Sequence, residues 1–296
     1  MSLAVPILKR KNPADFLFRG NAAAASGFLT SLKGQFIPVN LNKPTVHGES
    51  SLPMAGGASV SSVRKPELNF PEYIRYSDCE TSVLGSQEGE SMVTTLRTSV
   101  KNVRVATSPS PEDALPDVEL TAFQAESLAI EVRSIHPPEG DPQFEVLGEP
   151  QNLGMFLETV DRSGESIRTP IRLIFDARLL SRCTFEELDN EFLGNRDFFD
   201  HHSARFDTDE GLTFGQSRIP RTQDGYLLMS IVRQIEFGDE TVQGNVLDIP
   251  GYGRISFGVM VTDRISRRIS LVRIRFGSDP GGNSCLASVE TNGIWQ

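Results

Sequence analysis

Alternation of apolar and polar residues dominates the chain from about residue 73 onward. Segments such as SMVTTLRTSVKNVRVATS and SLAIEVRSI alternate apolar or β-branched residues with polar ones over much of their length, a pattern typical of strands with one buried face. The spacing of three between Val100 and Val103 breaks this period, because an odd spacing turns a side chain to the opposite face. It predicts a bulge near Lys101 and Asn102.

The clearest predicted hairpin lies near the C-terminus, in GRISFGVMVTDRISRRISLVRIRFGS. In its second strand, Val272, Ile274 and Phe276 share one parity. Arg273 and Arg275 share the other. We expect the apolar set in the core and the arginines toward solvent or a partner, as in a half-buried antiparallel sheet.

One helix interrupts the strand pattern, in CTFEELDNEFLGNRDFF. Thr184 and Glu187 form a capping box, in which the two residues satisfy free amide donors at the first helical turn. Apolar residues then recur at helical spacing, and Gly194 weakens or ends the helix. The sequence predicts one main α-helix near residues 184–200.

Residues 1–70 have a different texture, rich in Ala, Gly, Ser and Pro, with only short pieces of alternation. They predict an N-terminal arm of low regular structure, either draped over the body or used for contacts between subunits. Residues 71–296 predict a β-rich body, with two packed sub-domains of about 71–180 and 181–296 as one arrangement. The predicted fold is mainly β, an antiparallel β-sandwich or distorted barrel with one main helix and an extended arm.

Charge and cysteine content narrow the functional classes. A formal net charge of −10 and a pI near 5.0 give a field that repels phosphate backbones and anionic lipid, so we expect neither nucleic acid nor membrane as a partner. Three widely spaced cysteines fit neither a disulfide framework nor a zinc site, and no secretory signal is recognisable. We expect a soluble cytoplasmic protein, in which Cys183 is a buried and unreactive thiol.

Arginines cluster on the predicted C-terminal hairpin. They form a candidate basic rim for an acidic ligand or subunit, and its members are Arg264, Arg267, Arg268, Arg273 and Arg275. In the alternative interpretation, arginines on the wet face of a half-buried strand pair with cross-strand carboxylates.

Histidines and carboxylates cluster in GNRDFFDHHSARFDTDEG, residues 194–211. Asp197 and His201 would share one face of a helix that continued past Gly194, and this spacing could present two ligands to a divalent metal. The candidate metal site comprises Asp197, His201, His202 and Asp207. The alternative is a solvated helix end whose polar side chains bind only water.

Four blocks of the chain, FRGNAAAASGFLT, SSLPMAGGASVSSV, IPRTQDGYLLMSIV and GYGRISFGVMVTDRISRRISLVRIRFGSDPGG with its continuation ASVETNGIW, resemble a group of uncharacterised bacterial proteins of similar length. The resemblance implies a bacterial protein and carries no activity or site residue.

Strand patterns outweigh catalytic motifs, and no cofactor is indicated. We therefore expect a protein that acts by binding or self-assembly, with another protein or a second copy of itself, as a homo-oligomer, for its partner. The alternative is a metal-assisted hydrolase centred on residues 197–210, in which a divalent metal polarises a carbonyl or phosphoryl oxygen.

Overall fold

A computed structural model describes residues 12–32, 35–36, 45–68, 71, 73–107, 118–194, 226–277 and 281–296. Within these ranges the chain forms 21 strands, two α-helices and one short 3-10 helix, η1. In chain order they are η1 (Pro13–Asp15), β1 (Phe16–Leu17), β2 (Gly20–Leu32), β3 (Gln35–Phe36), β4 (Thr45–Ser51), β5 (Gly57–Val63), β6 (Ile74–Glu88), β7 (Ser91–Thr107), β8 (Val118–His136), β9 (Gln143–Val146), β10 (Gln151–Leu153), β11 (Phe156–Asp161), β12 (Ser166–Phe175), α1 (Ala177–Leu180), β13 (Cys183–Thr184), α2 (Phe185–Gly194), β14 (Leu227–Ser230), β15 (Val232–Phe237), β16 (Glu240–Gln243), β17 (Val246–Ile249), β18 (Gly253–Thr262), β19 (Ser266–Phe276), β20 (Gly281–Asn292) and β21 (Ile294–Trp295).

Two antiparallel sheets contain nearly all of these strands. The larger has 11 strands in the order β16-β15-β12-β11-β8-β7-β6-β5, with β9 and β10 added to β8 and β13 added to β9. The smaller has eight strands in the order β14-β18-β19-β20-β2-β3, with β17 paired to β18 and β4 paired to β2. A separate two-stranded ribbon joins β1 to β21. Among the described strands, neither large sheet closes on itself, so the fold is a β-sandwich and not a barrel.

The core lies between the two sheets. Phe123 of β8 and Phe257 of β18 pack with their ring centroids 6.3 Å apart, and both side chains are fully buried. The Tyr252 hydroxyl, next to β18, donates a 2.9 Å hydrogen bond to the Val105 carbonyl of β7. This bond satisfies the polar end of a buried tyrosine and links the smaller sheet to the larger one.

The predicted faces of the C-terminal hairpin are confirmed. β18 and β19 pair in antiparallel register, with Ile255 opposite Ile274. Val272, Ile274 and Phe276 are buried, whereas Arg275 is exposed and Arg273 is half-buried.

The predicted capping box is also present. The Glu187 amide donates to Thr184 Oγ1 over 3.1 Å, and the Thr184 amide donates to the Glu187 carboxylate over 2.7 Å. These reciprocal bonds satisfy amides that the first helical turn leaves without partners. Helix α2 begins directly after Thr184, as the sequence predicts, and its described part ends at Gly194.

The described part of the first 70 residues contains long paired strands, whereas the sequence predicts an arm of low regular structure. Strand β2 is a long interior strand of the smaller sheet, and its Ala22, Ala24 and Ala25 are at most 1% exposed. The two sheets approach closely there, because a Cβ atom at Gly20 would lie 3.1 Å from the Leu96 side chain. Small residues are needed to fill this narrow part of the core. A sequence rich in such residues resembles that of a flexible segment, which explains the incorrect prediction.

The alternation of buried and exposed residues shifts by one residue along one line that crosses both sheets. Strand after strand, buried residues on either side of this line are three residues apart, an odd spacing that a regular strand would place on opposite faces; on several strands a residue at the line itself, such as Ala24, Leu271 or Ala287, is also buried. The pairs are Ala22 and Ala25, Tyr76 and Cys79, Val100 and Val103, Ala125 and Leu128, Phe257 and Met260, Ile269 and Val272, and Leu286 and Val289. We call this line the phase row.

Left-handed backbone conformations produce the phase row. They occur on four of its seven strands, at Asp78, Asn102, Gly258 and Ala287, where φ lies between 45° and 57°, and Gly48 on the neighbouring β4 has φ of 61°. The bulge predicted near Lys101 and Asn102 is therefore confirmed, and the β6–β7 register shifts beside it. The Asn102 side-chain amide donates to Ser77 Oγ over 2.8 Å and fastens the irregular positions of the two strands together.

Within the described ranges, neither α-helix has the length and apolar character needed to cross a lipid bilayer.

Candidate functional site

The five arginines predicted as a basic rim occupy two different environments. Arg264, Arg268 and Arg275 are exposed and Arg273 is half-buried, but Arg267 is only 1% exposed. Arg267 shares the parity of Ile269 and points into the core, so it cannot form part of a surface rim as predicted. The other four remain a predicted contact surface.

The buried guanidinium of Arg267 crosses from the smaller sheet to the larger one. It lies over the Phe144 ring of β9, with 4.6 Å between the Arg267 Cζ atom and the ring centroid. Its Nε is 3.5 Å from Thr262 Oγ1, and Nη1 and Nη2 are 3.6 Å and 3.8 Å from Cys183 Sγ. No carboxylate among the described residues pairs with this cation. Burial lowers the pKa of the Arg267 guanidinium, and the contact with Cys183 opposes that effect.

Cys183 is only half-buried, whereas the sequence predicts a buried thiol. It lies on the two-residue strand β13, opposite Phe144, directly before the capped helix α2. Its side chain is half-buried and receives two guanidinium donors, whereas Cys79 is fully buried. The sequence places Cys183 and Arg267 84 residues apart, and only the packing of the two sheets brings them together.

A second buried polar cluster surrounds His136 at the end of β8. Its Nε2 lies 3.2 Å from Ser134 Oγ, which lies 2.7 Å from Thr291 Oγ1 of the smaller sheet. Burial lowers the pKa of His136 to about 4. Although a serine beside a histidine is a nucleophile and base arrangement, both residues are at most 1% exposed, so the cluster is structural.

The predicted metal ligands Asp197, His201, His202 and Asp207 lie outside the described residues, and the metal site stays a prediction. In the part of the chain that is described, no group of three or more histidine, cysteine, aspartate or glutamate side chains could hold a metal ion.

The open edge of the larger sheet is formed by β5. This strand pairs with β6 on one side, with Val60 opposite Ser82, and no described strand pairs with its other side. An unpaired strand presents backbone N–H and C=O groups that can extend the sheet with another strand. Proteins commonly protect such edges with lysine, proline or bulges, but β5 reads GASVSSV and contains no charged residue or proline.

Exposed apolar side chains accompany this open backbone. Val60 is 73% exposed, and Ala58 and Leu84 are exposed opposite each other on β5 and β6. We call Ala58, Val60 and Leu84 the edge patch. It lies on the outer face of the larger sheet, beside the unpaired side of β5.

Local sequence explains why β5 starts where it does. The chain leaves β4 of the smaller sheet and turns at Gly56, which has φ of 84° and whose amide donates to the Pro53 carbonyl. A Cβ atom at Gly56 would lie 2.9 Å from the Phe18 ring, so glycine is needed for both conformation and space. The turn carries the chain from one sheet to the edge of the other.

No family model matches this chain, and no curated protein or solved structure is significantly similar to it. The two features described above, the open edge at β5 and the contact between Arg267 and Cys183, are therefore interpreted from their geometry alone.

Neither feature was predicted from the sequence. The edge strand lies inside the segment interpreted as an arm, and its edge position depends on strand order, which involves residues distant in sequence. The parity of Arg267 in the sequence was ambiguous, since it is shared with the apolar Ile269 and also with Arg273 and Arg275.

Proposed function

We propose that this protein self-associates through β5, so that two copies join their larger sheets edge to edge. The observation that carries the proposal is the open backbone of β5 beside the exposed Val60. A two-fold axis would place the same strand of each copy in antiparallel register. A pair of seven-residue strands forms roughly six to eight main-chain hydrogen bonds.

The sequence of β5 suits pairing with itself about Val60. In that register Val60 faces Val60 of the second copy, Ala58 faces Ser62, and Gly57 faces Val63. These pairs contain no charged residue, and the two β-branched valines meet at the centre. The exposed Leu84 of each copy lies on the same face and extends the apolar contact.

The charges that flank β5 also fit this register. Arg64 and Lys65, which follow the strand, would lie opposite Gly56 and Ala55 of the second copy, so no like charges meet. This matters because the whole chain carries a net charge of −10, which opposes the approach of a second copy, and an uncharged strand adds no further repulsion at the contact. The uncharged pairs of this register favour a second copy as the occupant.

Light scattering after size exclusion, at about 1 to 100 µM protein, tests the proposal. A small strand-to-strand interface predicts association at roughly micromolar concentration. Val60→Lys should yield a monomer without loss of folding, because a lysine on an exposed edge opposes pairing. The matched control is Ile265→Lys, which changes an exposed isoleucine in the β18–β19 turn and should dimerise like the wild type.

Cysteine cross-linking tests the register, in a Cys183→Ser and Cys285→Ser background that leaves only the buried Cys79. Val60→Cys should form a disulfide-linked dimer, because residues directly opposite are about 5 Å apart between Cα atoms. Ser62→Cys alone should not, since its two copies would be about 14 Å apart. Mixing Ala58→Cys with Ser62→Cys protein should restore the link. A monomer at about 100 µM, or a Val60→Lys dimer as strong as the wild type, would overturn the proposal.

A further inference from the structure

We propose that Cys183 is a modification site that attacks low-molecular-weight disulfides as the thiolate, which the buried guanidinium of Arg267 stabilises. The site is independent of the edge at β5 and of self-association.

Arg267 carries a buried cation that no described carboxylate balances. A guanidinium removed from water is costly unless an anion compensates it, and stable buried charges are almost always paired. Arg267 is fully buried and forms no ion pair with a carboxylate of the described residues. Its contacts are the Thr262 hydroxyl, the Phe144 ring and the Cys183 sulfur.

Cys183 is the group among these contacts that can supply a negative charge at neutral pH. Two nitrogens of the guanidinium point at Sγ, at 3.6 Å and 3.8 Å, distances suited to N–H donors on a large sulfur acceptor. An ionised sulfur would receive two charge-assisted hydrogen bonds and offset the buried cation. The thiolate, and not the thiol, is the nucleophile in exchange with disulfides.

Access distinguishes Cys183 from the other thiols. Cys183 is half-buried and its sulfur faces Arg267, and the proposal requires a small reagent to reach this sulfur from the exposed side of the residue. Cys79 is fully buried and cannot be reached in the folded protein. Cys285 is half-buried but lies opposite Ser26 and Arg273 on the smaller sheet, away from the Arg267 guanidinium.

Other charges near Cys183 do not supply the stabilisation. The carboxylate of Glu187 on α2 already accepts from the Thr184 amide and hydroxyl, so the helix N-terminus carries its own negative charge. On β9, Glu145 pairs with Arg182. His136, whose ring contacts Phe144 from β8, is held neutral by burial. The effect is therefore assigned to Arg267.

The reaction is a thiol–disulfide exchange. The Cys183 sulfur attacks one sulfur of the reagent, the reagent S–S bond breaks, and a mixed disulfide forms on Cys183. The second half of the reagent leaves as a thiolate with the electron pair, so one reagent sulfur is reduced while Cys183 is oxidised. An added thiol reverses the step.

The test follows release of the aromatic thiolate from 5,5′-dithiobis(2-nitrobenzoate), in folded protein carrying Cys285→Ser. An ordinary thiol reacts roughly 75-fold more slowly at pH 6 than at pH 8, because its thiolate fraction falls by that factor. We expect a decrease of less than about ten-fold for Cys183. Cys183→Ser should abolish the signal, which assigns it to that residue.

Two arginine variants distinguish the effect of the Arg267–Cys183 contact from the general electrostatic effect of nearby positive charges. Arg267→Met should slow the reaction at pH 7 by about ten-fold or more, whereas Arg264→Met removes an exposed charge and should leave the rate unchanged. If Arg267→Met does not fold, two other measurements decide the proposal. They are the reaction rate of Arg267→Lys, which keeps the charge, and the ratio of the wild-type rates at pH 6 and pH 8. A decrease of about 50-fold or more between those pH values, or an unchanged rate in folded Arg267→Met, would overturn the proposal.

Discussion

Acidification from pH 7 to pH 5 should destabilise the folded protein through His136. Burial lowers the pKa of this imidazole to about 4, compared with 6.5 for a free histidine. The unfolded chain therefore takes up a proton near pH 6.5, while the folded chain resists protonation until about pH 4. The contribution to stability is complete above pH 6.5 and is lost progressively as the pH falls through this window.

The magnitude follows from the two pKa values. At pH 5 most unfolded chains carry the proton and most folded chains do not, which costs about 2 kcal/mol of unfolding free energy. Below pH 4 both states are protonated, and the loss reaches its limit of about 3 kcal/mol. Against a typical domain stability of about 5 to 15 kcal/mol, either loss is readily measured.

Urea denaturation at pH 7 and pH 5 measures the effect, with His136→Phe as the matched variant. Phenylalanine does not titrate and is suited to the ring contacts with Phe16 and Phe144. Carboxylates and other histidines affect both proteins alike, so their contribution cancels when the two pH dependences are subtracted. We expect the wild type to lose about 2 kcal/mol more than the variant between these pH values. Equal losses in the two proteins would refute the assignment of a neutral, desolvated imidazole.

Two further substitutions test the sandwich itself. Ile274→Asp would bury a carboxylate without a partner and should cost several kcal/mol, whereas the double change Arg273→Gln and Arg275→Gln should cost within about 1 kcal/mol. Thermal melts compare them, and equal damage would contradict the assignment of faces on β19. Tyr252→Phe removes the hydroxyl that donates to the Val105 carbonyl between the sheets and should cost about 1 to 3 kcal/mol in urea denaturation. An unchanged midpoint would show that this bond contributes nothing.

Local patterns predicted the parts of the fold that depend on neighbouring residues. The alternation of Val272, Ile274 and Phe276 identified the buried face of β19, because a half-buried strand selects side chains with a period of two. The Thr184 and Glu187 pair identified the start of α2, because a capping box needs only four consecutive residues.

Features that depend on distant residues were not predictable in the same way. Strand β2 carries alanines because Leu96 and its neighbours, on another sheet, leave little space. The open edge of β5 results from strand order, and no property of GASVSSV alone distinguishes an edge strand from a central one. Arg267 was assigned to the surface rim because it clusters with other arginines and shares its parity with Arg273 and Arg275, whereas the phase row between Ile269 and Val272 puts Arg267 on the buried face.

The phase row should also limit the ways in which this chain can misfold. In an ordinary sheet a strand can slip by two residues and still present its apolar side chains to the core. Such a slip costs little free energy and gives an alternative pairing register. Here a two-residue slip would move Asn102 or Ala287 away from the row and set its left-handed backbone opposite a regular segment, while the two halves of the strand fell out of step with their neighbours. The row therefore fixes the pairing register in both sheets. Long strands that could otherwise pair in several registers are restricted to one register.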